Sequence, residues 1–189
     1  MIESRPDIAV GLGGNLPFEG SPTSATLVRA IGRLDTPDIT IRAVSRFYAT
    51  PCFPAGAGPD YVNAAVLIRS ALTPRDLLQR LHDIEHEFGR ARAQRWGMRT
   101  LDMDILFHGQ SVLPDAAGQR AWVNLPPEKQ VRATPDHLIL PHPRLQDRAF
   151  ALVPLADVAP EWRHPLLQKT VLQLCQALPR EEIAAVRPL

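Results

Sequence analysis

Cysteine is scarce in this sequence. Only Cys52 and Cys175 occur in 189 residues, and their separation does not match the spacing of a metal-binding motif. This scarcity excludes a disulfide-based fold, and we expect two free thiols in a reducing compartment.

An excess of charge of one sign is also missing. The 21 Lys and Arg residues nearly balance 20 Asp and Glu residues, which leaves a net charge of +1. A near-neutral chain has no strong overall field, so we expect neither nucleic acid nor a membrane as a partner. No apolar run reaches 18 residues, and the first residues contain acids but no long apolar segment. The prediction is a cytoplasmic protein that is a monomer.

Apolar residues make up 45% of the chain, which is enough for a hydrophobic core in a single domain over 1–189. Their periodicity predicts alternating strands and helices. The predicted strands cover 7–13, 39–50, 61–70 and 101–107, and the predicted helices 24–34, 74–88 and 168–178. This order predicts an α+β fold: a ferredoxin-like antiparallel sheet with helices packed on it, in three α/β/α layers. Residues 109–137 are predicted to form an extended loop or insertion.

Two aspartates interrupt the apolar strand "RTLDMDILF". Because side chains alternate along a strand, Leu101, Met103, Ile105 and Phe107 should enter the core. Asp102 and Asp104 should then share the other face, with Cα atoms about 6.6 to 6.8 Å apart. Carboxylates in this arrangement suit Mg²⁺, which takes its remaining ligands from water and substrate phosphates. The same spacing also fits a solvated face whose acids pair with arginines.

An arginine-rich loop precedes the aspartates, with Arg90, Arg92, Arg95 and Arg99 around Trp96. Arginines beside a metal site are typical of phosphoryl transfer, in which positioning and charge stabilisation dominate catalysis. The alternatives are a solvated basic loop and a lid that closes over the substrate.

The segment "RWGMRTLDMDI" resembles the signature of the 6-hydroxymethyl-7,8-dihydropterin pyrophosphokinase family. The family pattern has proline where this chain has Met98, and leucine where it has Met103. Further matching motifs follow in the family's order, with Gly14 in place of a serine in the first: "GLGGNL", "SRFYATP", "DYVNAAV", "IEHEFGR", "LPHPRLQDRAF" and "PLADVAP".

This resemblance implies that ATP donates its β,γ-diphosphate to the pterin hydroxymethyl oxygen and that AMP leaves. Asp102 and Asp104 match the carboxylates that bind two Mg²⁺ ions. Arg90 and Arg92 match loop arginines that act on the phosphates. The residues that match the ATP site are His82, which replaces a common glutamine, and Glu85, Arg99, Ile105, Leu138, His142 and Arg148.

The resemblance also implies a pterin site in which the flat ring lies between aromatic side chains. The matching residues are Thr50, Pro51, Phe53, Tyr61, Asn63, Trp96 and Phe150. No side chain is assigned as general base. Two other functions fit part of this pattern: a metal-dependent phosphodiesterase or nuclease, and a nucleotide- or pterin-binding module without turnover.

Overall fold

A computed structural model describes residues 5–52, 58–89, 99–126, 129, 133 and 135–189. Within them the sheet has the strand order β5-β1-β4-β3-β6, and β2 also pairs with β4. The strands are β1 Asp7–Gly14, β2 Ile39–Val44, β3 Tyr48–Thr50, β4 Tyr61–Ser70, β5 Asp102–His108 and β6 Arg187–Pro188. Every pairing is antiparallel, which confirms the predicted ferredoxin-like sheet.

Helices cover both faces of this sheet. They are α1 Thr23–Leu34, α2 Pro74–Glu87, α3 Ala116–Val123, α4 Ala149–Val158, α5 Val171–Gln176 and α6 Arg180–Ala184. Helices α1 and α2 bury leucine and isoleucine side chains against one face, while α4 and α5 bury leucines and Val171 against the other. The predicted three-layer arrangement is therefore confirmed.

Helix α2 illustrates how local sequence sets an element. The Thr73 hydroxyl accepts the backbone N–H of Asp76 at 3.2 Å, which caps the first turn, and Pro74 occupies the first helical position. Gly89 follows the helix with a φ of +75°, a conformation that favours glycine. The predicted helix over 74–88 is confirmed to within one residue.

A β-bulge in β5 changes the orientation of one predicted core residue. Val10 of β1 pairs with Ile105, but the neighbouring Ala9 pairs with Phe107, so Leu106 is an extra residue in β5. Phe107 consequently packs in the core beneath α4 and α5, whereas Ile105 packs with α1 and α2. The prediction that both side chains share a face is wrong, because strict alternation ends at the bulge.

Three segment predictions also differ from the structure. The strand expected over 39–50 is interrupted after Val44, and β3 begins at Tyr48. The segment over 109–137, expected as an extended loop or insertion, contains helix α3 and so is not a loop throughout. The helix expected last, over 168–178, is the shorter α5 and is followed by α6 and β6. Both cysteines are free, as predicted. In the described part of the chain, no helix is long and apolar enough to cross a membrane.

Candidate active site

The floor of the candidate site is the face of strands β5, β1 and β4 that carries the two aspartates. Asp104 pairs with Gly11 and Asp102 pairs with Gly13. Because glycine has no side chain, this arrangement opens a cavity in the sheet surface between the carboxylates and Asn63 of β4. The predicted common orientation of Asp102 and Asp104 agrees with the structure, since both line this cavity.

Glycine is required at Gly13 by close packing. A Cβ atom there would lie 2.9 Å from Oδ1 of Asn63, whereas at Gly11 it would meet the flexible end of Leu106 at 3.2 Å. Neither glycine was among the predicted site residues. Both glycines belong to the motif "GLGGNL", but their role depends on which strands pair with β1, and the sequence does not show that pairing.

The wall of the cavity comes from the segment that enters α4. His142, Arg148 and Phe150 all line it, so the chain brings three predicted residues opposite the aspartates of β5. Phe150, at the start of α4, is 43% exposed. The Arg148 guanidinium carbon lies 5.6 Å from the centre of the Phe150 ring. An exposed ring beside polar groups can stack on a flat ligand.

Arg148 supplies positive charge to this wall. Burial lowers the pKa of its guanidinium, whereas the nearby carboxylates of Asp104 and Asp102 raise it. An arginine remains protonated under such conditions. The described lining of the cavity therefore combines the Arg148 cation with two carboxylates, and it can receive a phosphate group together with a metal ion.

His142 is neutral in the folded protein. Burial, followed by the charge of Arg148, lowers the pKa of its imidazole to about 3. Its Nδ1 accepts the backbone N–H of Arg144 at 3.1 Å. Because a neutral imidazole has one donor and one acceptor, this bond assigns the proton to Nε2. His142 is therefore a hydrogen-bond donor through Nε2.

Arg99 and Asp102 form an ion pair at 2.5 Å, and both side chains are largely buried. The possibility that the aspartates pair with nearby arginines is thus realised for Asp102. The backbone of Arg99 is fixed by Asn15: its N–H donates to Oδ1 of Asn15 at 3.0 Å, and its carbonyl accepts the N–H of Asn15 at 2.9 Å. Asn15 also donates from Nδ2 to the Pro59 carbonyl at 3.2 Å. The sequence prediction missed this residue, which joins three loops around the site.

The predicted pterin residues of β3 and β4 lie together. Asn63 donates from Nδ2 to the Thr50 hydroxyl at 2.7 Å, and both side chains are buried. Thr50 pairs with Tyr61 across the two strands. Burial is the main cause that raises the pKa of Tyr61, while the nearby Arg99 lowers it. Pro51 follows β3 directly and is exposed.

Besides Arg99, four predicted ATP-site residues lie outside the cavity lining. Glu85 is 1% exposed, and its Oε1 accepts the backbone N–H of Met103 at 2.7 Å. His82 is half-buried one turn earlier on α2. Ile105 and Leu138 pack in the core formed with α1 and α2, on the side of the sheet opposite the aspartates.

Four further site predictions lie outside the described residues. They are Arg90, Arg92, Trp96 and Phe53. Their roles stay predictions.

The donor set fits magnesium better than a metal that needs many protein ligands. Among the residues that the structure describes, no group of three or more His, Cys, Asp or Glu side chains could bind a metal ion. Mg²⁺ needs only one or two carboxylates when substrate phosphates and water complete its shell. Asp102 and Asp104, which both line the cavity, are the carboxylates that could do so.

Comparison with known proteins gives one consistent result. The family model for 7,8-dihydro-6-hydroxymethylpterin-pyrophosphokinase matches residues 9–160. A 2-amino-4-hydroxy-6-hydroxymethyldihydropteridine pyrophosphokinase of Synechocystis is 37% identical over 180 residues, which cover 95% of this chain and 80% of the relative. The protein of the same name from Pseudomonas aeruginosa is 38% identical over 158 residues, covering 84% and 83%.

Solved structures agree in fold. The wild-type HPPK-DHPS of Plasmodium falciparum superposes with a TM-score of 0.61 at 14% identity, and an HPPK-DHPS in complex with substrates gives 0.62 at 14%. Each match covers 92% of this chain but less than half of the solved chain, 44% and 43%. Together with the family match, these findings show that the chain belongs to the 7,8-dihydro-6-hydroxymethylpterin-pyrophosphokinase family.

Proposed function

We propose that this protein transfers diphosphate from ATP to 6-hydroxymethyl-7,8-dihydropterin in folate biosynthesis, releasing AMP and the pterin diphosphate. The observation that carries the proposal is one cavity in which two carboxylates face a cation and an exposed aromatic ring. Asp102 and Asp104 lie on one side, Arg148 and Phe150 on the other. Family membership supplies the substrate class.

In the proposed reaction the pterin hydroxymethyl oxygen forms a bond to the β-phosphorus of ATP. The bond between that phosphorus and the oxygen bridging to the α-phosphate breaks, and AMP takes the electron pair. The hydroxyl proton leaves to water or to a phosphate oxygen, since no cavity side chain is assigned as base. Attack in line with the leaving group requires that both substrates be positioned together.

Different residues of the chain would bind the phosphates, the pterin and the metal ion. We assign Arg148 and the Nε2–H of His142 to the phosphate oxygens, because both line the cavity and both are donors. Asn63 and Thr50 would hydrogen-bond the pterin, and Phe150 and Tyr61 would contact its ring faces. Asp102 and Asp104 would hold Mg²⁺, which when bound neutralises triphosphate charge.

The first test mixes the protein with ATP, Mg²⁺ and 6-hydroxymethyl-7,8-dihydropterin and identifies products by mass spectrometry. We expect AMP and pterin diphosphate, with turnover reduced at least about 10²-fold in Asp102→Asn and Asp104→Asn. Asp35→Asn is the matched control, since Asp35 is exposed at the end of α1. Formation of ADP in place of AMP would contradict the proposal.

Assays of nucleic-acid cleavage and of ligand binding separate the alternatives named above. The family match gives no support to a phosphodiesterase or nuclease, and cleavage of RNA or DNA by the protein would be needed to revive it. A binding module without turnover predicts saturable pterin and ATP binding with no product.

A further inference from the structure

A buried side chain in the described part of segment 109–137 connects this segment to the candidate site. Within helix α3, Gln119 is the buried residue, with 1% of its surface exposed. Burial of a polar amide is unfavourable unless the amide is hydrogen-bonded. A glutamine at the one buried position of helix α3 therefore indicates that its hydrogen bond matters.

The partner of Gln119 lies next to a cavity residue. Nε2 of Gln119 donates to the carbonyl oxygen of Pro141 at 3.3 Å. The N–H of the same peptide group belongs to His142, and it donates to the carbonyl of Leu106 on β5 at 2.9 Å. The peptide between Pro141 and His142 is thus held at its oxygen by α3 and at its nitrogen by β5. The two hydrogen bonds fix the orientation of this planar peptide group, which includes the His142 Cα atom that carries the imidazole.

Helix α3 is itself held firmly near this peptide. Leu113 and Leu140 exchange two backbone hydrogen bonds, of 2.9 and 3.1 Å. Oδ1 of Asp115 caps the helix by accepting the N–H of Gly118 at 2.8 Å. A Cβ atom on Gly118 would lie 2.8 Å from the Pro114 ring, so the first turn packs closely on the chain before it.

We propose that Gln119 is a positioning residue for ATP: it orients the peptide that carries His142, so that Nε2–H of the imidazole faces the triphosphate. This inference rests on the proposed function, because it takes ATP as the ligand of His142. It gives helix α3 a role in the nucleotide half of the site. The pterin half, at Thr50 and Asn63, lies on β3 and β4 and is not contacted by Gln119 through these bonds.

The test replaces Gln119 by methionine, which has similar volume and no donor. The matched control is Arg120→Met, at the exposed neighbouring position on α3. We expect Gln119→Met to raise KM for ATP about five- to tenfold while KM for the pterin changes less than twofold. Arg120→Met should leave both constants within twofold of the wild type. If Gln119→Met does not fold, Gln119→Leu takes its place.

A second readout does not depend on turnover. Hydrogen exchange at the His142 amide should accelerate in Gln119→Met and stay unchanged in Arg120→Met, since only the first releases the Pro141 carbonyl. If the wild type forms no product, the proposed function fails, and exchange at His142 alone decides whether Gln119 positions this peptide. Unchanged exchange at His142 in Gln119→Met, or an equal rise in both KM values, overturns the inference.

Discussion

Glu85 accepts the backbone N–H of Met103 at 2.7 Å, and Met103 is the residue between Asp102 and Asp104. β5 is the last strand on its side of the described sheet, so this N–H has no neighbouring strand to bond. The Glu85 side chain of α2 therefore provides the acceptor that a neighbouring strand would provide. It fixes the backbone between the two aspartates.

Removing this acceptor should destabilise the protein. We expect Glu85→Ala to lower the free energy of unfolding by about 1–3 kcal/mol, because the buried N–H of Met103 loses its partner. Glu85→Gln keeps an acceptor oxygen and should recover part of the loss. Urea denaturation measures both, with Glu87→Ala as the control on an exposed, salt-bridged position of α2. A change within about 0.5 kcal/mol is expected there, and an equal loss in both alanine variants would contradict the role given to Glu85.

Gly13 and Gly32 should respond in opposite ways to alanine. In Gly13→Ala the new Cβ lies 2.9 Å from Oδ1 of Asn63, so that side chain must shift and KM for the pterin should rise about tenfold or more. At Gly32, inside α1, nothing lies within 4 Å of the new atom, and alanine favours the helix. Gly32→Ala should raise the free energy of unfolding by about 0.5–1 kcal/mol without altering KM for the pterin.

Asn15 should stabilise the protein through both its side-chain oxygen and its side-chain nitrogen. Asn15→Ala leaves the N–H of Arg99 and the carbonyl of Pro59 without their partner, so we expect a loss of about 2–4 kcal/mol in the free energy of unfolding. Asn15→Asp keeps the acceptor for Arg99 and loses the donor to Pro59. Chemical denaturation should place Asn15→Asp between the wild type and Asn15→Ala, whereas an Asn15→Ala variant as stable as the wild type would contradict this role.

The stability of the protein should fall in mild acid partly because of His164. Burial lowers the pKa of its imidazole from 6.5 to about 4, and its Nδ1 accepts the N–H groups of Leu166 and Leu167, both at 3.2 Å. The unfolded chain binds a proton below about pH 6.5, while the folded protein keeps this group neutral down to about pH 4. The stability from His164 is therefore complete above pH 6.5 and is lost as the pH falls toward 4, by up to about 3 kcal/mol.

The measurement is the free energy of unfolding between pH 4 and 7 in the wild type and in His164→Asn. Asparagine keeps an acceptor oxygen near the position of Nδ1 but does not titrate. The free energy of unfolding of His164→Asn should therefore change less steeply with pH, by the equivalent of up to one bound proton per molecule. His142, with a pKa of about 3, contributes a slope of the same sign in both proteins. Ile31→Val is the control, since a small loss in the core should shift the curve without changing its slope. Identical slopes in the wild type and His164→Asn would refute the assignment.

Prediction from the sequence succeeded where the controlling interactions are local. Helix α2 follows from Thr73, Pro74 and Gly89, which act within their own turns. The shared face of Asp102 and Asp104 follows from alternation over three residues of one strand. Prediction failed at Phe107, where the extra residue Leu106 in β5 is accommodated opposite β1 and reverses the alternation.

The sequence by itself determined the positions of β1, α1, β4, α2 and β5, the paired carboxylates and the family, since these depend on residue type and short-range spacing. Only the tertiary structure decided which groups meet. It placed Arg148 and Phe150 of the α4 segment opposite the aspartates of β5, and it gave the Pro141 carbonyl to Gln119. Such contacts join residues far apart in the chain, and the strand pairing and helix packing that bring them together depend on the whole fold.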